Sequence, residues 1–104
     1  MNLHEFVKVL LSVTDRVYQD EANQESGEYI VWSEQADRSL RADDSEAEYG
    51  MRLSVMIFTD KPMSELPKKL RKAFSENSIA YEDFQSMYYP ELKFRQYSTF
   101  VEVT

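Results

Sequence analysis

Three pairs of adjacent acids, Asp20-Glu21, Asp43-Asp44 and Glu82-Asp83, and a single histidine, His4, are the side chains whose types could do chemistry. Two carboxylates can serve as the acid and nucleophile of glycoside hydrolysis, and several can hold a Mg²⁺ ion. Either role needs groups converging on a concave pocket, whereas neighbouring acids in a polar stretch are ordinarily solvated. His4 falls near the start of a helical segment, with no second histidine to share a metal and no nucleophile to activate. Two glycines, neither in a glycine-rich loop, leave no phosphate cradle or dinucleotide fingerprint. The absence of cysteine removes disulfides and thiolate metal sites and is compatible with a reducing compartment. The residues therefore read as non-enzymatic, with no metal and no cofactor.

Charge narrows the partners. Nineteen acidic against twelve basic residues give a net charge of −7, which repels phosphate backbones at long range. The basic run KKLRK at Lys68 to Lys72 is the exception. It occupies the outer face of an amphipathic helix, where positive charge toward the C-terminal end suits the helix dipole, and it also fits an acidic patch on another copy.

The elements that must position these residues follow from periodicity. Leu3, Phe6, Val7, Leu10 and Val13 recur at helical spacing. A short strand fits around Val17 and Tyr18, before a polar loop ending at Gly27. Glu28 to about Gln35 and Ala47 to Phe58 read as paired strands, the second alternating Tyr49, Met51, Leu53, Val55 and Ile57 against Gly50, Arg52 and Ser54. A second helix is expected from Glu65 to Glu76, with Met63, Leu66, Leu70, Ala73 and Phe74 on its apolar side. Pro67 is acceptable there if Ser64 caps the helix and leaves the proline in the first turn. Ile79 to Met87 and Leu92 to Val103 complete the strands, with Pro90 marking their turn. The fold expected is α+β in the order α-β-β-α-β-β, with two helices on one face of an antiparallel sheet. A single domain spans 1–104.

No segment approaches the eighteen continuous apolar residues of a membrane span, and Glu5 and Lys8 interrupt the opening apolar run, so neither an anchor nor a signal peptide is expected. Between the first two long strands, residues 33–48 hold charge of mixed sign without Pro or Gly, which predicts a projecting polar hairpin turning at Asp43-Asp44-Ser45. Arg38 and Arg41 alternate there with Asp37, Asp43 and Asp44 around Leu40, a pattern suited to pairing with a like-patterned neighbour. Together with Trp32, a core residue or an interface anchor, these six form the expected subunit interface.

The segment SGEYIVWSEQADRSLRADDSEAEYGMRLSVMIFTDKP resembles small tail proteins encoded among the head–tail joining genes of siphophages and prophages of Gram-positive bacteria. A PYIVW strand, a polar hairpin with an ADD element, a strand ending YFTK and a helix recur there in this order. Tyr29 to Trp32, Ala42 to Asp44, Ile57 to Thr59 with Lys61, and the helix after Pro62 match them. AYEDFQSMYYPELKFRQYSTFVEV is similar to the closing hairpin of that family, and the likeness covers residues 27–104. Glu28 stands where the family has proline, and YYPEL replaces a glycine-bearing turn.

The resemblance implies a tail-terminator or tail-completion subunit. Such a protein forms a ring, usually a hexamer, from subunits that can be monomeric in solution. The ring caps the tail-tube protein and docks onto the head-completion or connector protein. It would be found in the host cytoplasm during assembly and then in the virion tail, with DNA passing through unbound. A head–tail connector or stopper protein is the close alternative, and an acidic DNA-mimic inhibitor the alternative of another class. The basic helix face and mixed-sign hairpin speak against the mimic.

Overall fold

The computed structural model describes residues 1–22, 27–35 and 50–103, which form two helices and a five-stranded mixed sheet in an α+β arrangement. In chain order these are α1 (Leu3–Val13), β1 (Val17–Gln19), β2 (Glu28–Glu34), β3 (Met51–Thr59), α2 (Leu66–Glu76), β4 (Gln85–Tyr89) and β5 (Phe94–Val103). Across the sheet the order is β1-β2-β3-β5-β4.

The sheet is not wholly antiparallel as expected. β1 runs parallel to β2, Val17 opposite Ile30 and Gln19 opposite Trp32, while the other three pairings are antiparallel. Three residues carry no sequence signal for direction; the direction follows from where the chain must go next. Asp20 takes φ 69 as its N–H bonds to the Trp32 carbonyl at 2.8 Å. Farther on, Gly27 at φ 88 brings the chain back, and a Cβ there would meet the Arg16 guanidinium at 2.8 Å. The polar hairpin expected between β2 and β3, with Asp37, Arg38, Leu40, Arg41, Asp43 and Asp44, lies outside the described residues.

Alternation decides which face each strand buries. Ile30 and Trp32 of β2, Leu53, Val55 and Ile57 of β3, and Val101 and Val103 of β5 share one face. Phe6, Val9 and Leu10 of α1 pack there with Leu66, Leu70, Ala73 and Phe74 of α2. The Phe6 and Phe74 rings stack at 5.9 Å where the helices meet.

Capping explains the helix limits. Asn2 accepts from the Glu5 N–H at 2.8 Å, and the Glu5 carboxylate accepts from the Asn2 N–H at 3.2 Å, a reciprocal capping box for α1. In α2 the N-cap is Glu65 rather than Ser64, although the Ser64 hydroxyl still accepts from the Leu66 N–H at 3.1 Å. Pro67 therefore falls within the first turn, where its missing N–H costs little. At the far end Ser78 takes φ 57, and the Ile79 N–H reaches back to the Phe74 carbonyl at 2.8 Å, a Schellman closure. Ile79 is consequently a buried anchor behind α2 and not the first residue of a strand; β4 begins only at Gln85.

Met63, expected on the apolar side of α2, precedes the helix and is 87% exposed, whereas Phe74 is fully buried. We therefore expect Phe74→Ala to cost about 3–5 kcal/mol, whereas Met63→Ala should be near neutral. Urea unfolding followed by circular dichroism measures both.

Candidate interaction surface

Both helices cover one face of the sheet, so the residues of opposite parity form a second face that no described helix overlies. It carries a row of rings, one from each strand. Tyr18 lies edge-on to Tyr29 at 6.0 Å, Tyr29 stacks on Phe58 at 5.2 Å, Phe58 meets Phe94 at 5.5 Å and Phe94 meets Tyr89 at 5.0 Å. Cross-strand aromatic neighbours of this kind stabilise register. Nearer the opposite ends of β2 and β3, Arg52 covers the Phe100 ring at 4.3 Å and pairs with Glu82 at 2.9 Å.

The two sheet edges differ in chemistry. β1 is three residues long and flanked by Asp15, Arg16, Asp20 and Glu21, the short charged margin that discourages strand addition. β4 reads QSMYY, with no charge and no proline. Of the six exposed large apolar side chains among the described residues, Met87, Tyr88 and Leu92 fall in this one hairpin. A strand edge with unpaired backbone groups beside exposed apolar side chains is a template for another chain.

At the hairpin's turn end lies a hollow of about 370 Å³, lined by Thr59, Asp60, Lys61, Pro62, Tyr88, Lys93, Phe94 and Arg95. Two of its lining residues, Thr59 and Lys61, are held from behind by Glu28. The carboxylate accepts from the Thr59 hydroxyl at 2.8 Å and from the Ser64 hydroxyl, and it faces the Lys61 ammonium at 3.6 Å. Burial pushes the Glu28 pKa up, but the two hydroxyls and the Lys61 charge outweigh it and hold it below 4.5. Nearby, Asp60 accepts from the Gly27 N–H at 2.9 Å. These bonds tie the start of β2 to the end of β3 and to the approach to α2, a job for which a proline at position 28 has no group.

Among the residues expected at an interface, Trp32 is described, and it is a core residue at 6% exposure, packed beneath the helices. The expected anchor is thus enclosed by its own chain. His4 is exposed on α1. Glu82 is engaged by Arg52, and among the described residues no three His, Asp or Glu side chains are grouped to hold a metal. Sequence periodicity passed over Met87, Tyr88 and Leu92; the usable signal was the lack of charge in QSMYY, legible only once β4 is known to be an edge. No described helix is long and apolar enough to cross a membrane. No known protein family, curated protein or solved structure matches the chain.

Because the Glu28 pKa is lowered on folding, its contribution is full above the unfolded carboxylate value and is lost as pH falls through the folded one. Glu28→Gln should therefore lower stability at pH 7 by about 1–2 kcal/mol and flatten the loss of stability below pH 4.5. Urea melts of both proteins across the acid range test this.

Proposed function

We propose that the protein is a non-enzymatic assembly subunit that joins other protein chains through the β4 edge and its hairpin. The observation that carries this reading is the uncharged β4 strand beside exposed Met87, Tyr88 and Leu92. Strand addition at that edge would continue the sheet into a neighbour and cover the apolar side chains. A ring needs a heterologous contact, in which one surface of each subunit meets a different surface of the next. An edge that is adhesive on the β4 side and charged on the β1 side is compatible with that asymmetry.

The more specific form of the proposal is the one implied by the resemblance of residues 27–104 to tail-terminator proteins. The subunit would close into a ring, a hexamer when assembled, on the end of the tail tube and present a surface to the head-completion protein. The net charge of −7 suits a channel through which DNA passes unheld. A connector or stopper role in the same joint uses the same edge. The five charged positions Asp37, Arg38, Arg41, Asp43 and Asp44, with Leu40 among them, would add a second contact.

Light scattering after size exclusion, on the protein alone and mixed with polymerised tail-tube protein, tests both levels. A ring, or a monomer that caps tube ends and stops their growth, is the expected result. Met87→Lys should abolish it without lowering the melting temperature, since Met87 is 57% exposed. Assembly that survives Met87→Lys would remove the β4 edge from the reading. A monomer that ignores tubes would remove the terminator role.

A further inference from the structure

We infer that the hollow at the turn end of the β4–β5 hairpin is a binding site for a phosphate group, a property beyond the assembly role. Three cations, Lys61, Lys93 and Arg95, line it against one carboxylate, Asp60, in a chain whose overall charge is −7. Asp60 is already held by the Gly27 N–H. Lys61 faces Glu28, but at 3.6 Å and with its side chain 63% exposed it can turn toward a ligand. Lys93 and Arg95 have no carboxylate partner among the described residues.

Arg95 is nevertheless fixed in place. Its guanidinium lies over the Tyr88 ring at 5.4 Å, and Nη1 donates to the Ser86 hydroxyl at 3.4 Å. A guanidinium oriented by stacking loses less freedom when it takes up an oxyanion, and its planar fork suits phosphate oxygens. Lys93 carries a second mark. It sits at φ 56, where glycine would close the turn without steric cost and a lysine does not. That unfavourable conformation sets an ammonium at the rim beside Arg95. Two cations with no carboxylate partner among the described residues match the two charges of a phosphate monoester better than the single charge of a carboxylate. At about 370 Å³ the hollow is larger than the phosphate group alone requires, so the phosphate could be free or carried on a small organic molecule.

Titration of the ¹⁵N-labelled protein with sodium phosphate at neutral pH and low salt, followed by amide shifts, tests the site. Saturable shifts should fall on residues 59–61 and 93–95, with sodium acetate far weaker. Arg95→Gln and Lys93→Gly should each weaken binding about tenfold, while Lys69→Gln, on the exposed face of α2, leaves it unchanged. Lys93→Gly separates the ligand role from the fold, because glycine relieves the positive φ and should raise thermal stability while binding weakens. Adenosine monophosphate distinguishes the sources: affinity equal to that of inorganic phosphate assigns the site to the free ion, and higher affinity assigns it to a phosphomonoester. Shifts that do not saturate, that weaken equally in Lys69→Gln, or that appear only with duplex DNA would overturn the assignment.

Discussion

Every layer of this fold rests on the nine rungs of β3. The strand pairs with β2 on one side and β5 on the other, and its alternation sends Leu53, Val55 and Ile57 under the helices while Met56 and Phe58 look the other way. A slip of one residue would exchange those sets and place Arg52 and Ser54 against Phe6 and Phe74. Register in β3 is thus what allows a chain of modest length to enclose two helices on one side and still hold an ordered aromatic row on the other.

The polar contacts serve that register. Glu28 opposes Thr59 at the last rung of the β2–β3 ladder, and the bond between them closes it where the chain leaves for α2. Ser64 joins the same carboxylate, so the angle at which α2 begins is set by a residue in a different element. The Schellman closure at Ser78 does the corresponding work at the helix's other end, turning the chain so that Ile79 is buried and residues 80–84 can travel to the sheet edge.

Much of this was legible in the residues. The 3.6-residue spacing from Leu3 to Leu10 and the strict alternation from Met51 to Ile57 each report a buried face directly, because burial is what the pattern encodes. The parallel direction of β1 and the late start of β4 were not legible, since both depend on tertiary hydrogen bonds that leave no periodic trace. Ile79 illustrates the point: a β-branched residue ahead of an aromatic cluster looks like a strand, yet its place is decided by the left-handed Ser78 before it. The interaction surface was harder still. Of the two roles the sequence allows Trp32, the core one holds, since it faces the helices; the mixed charges after it lie outside the described residues, and the exposed apolar side chains belong to a strand whose edge position appears only in the sheet order.

The aromatic row crosses the sheet at only one end of its strands. There the fastening is ring against ring through Tyr29, Phe58 and Phe94, contacts that dissolved ions scarcely affect. Toward the opposite end of β3 the corresponding ties are the Arg52 guanidinium over Phe100 and its pairing with the half-exposed Glu82, both electrostatic and both open to screening. Added salt therefore weakens the side-chain ties at the Arg52 end of β3 more than the ring contacts at the Phe58 end, where of the described polar ties only the Lys61–Glu28 pair, exposed at its lysine, is comparably screened.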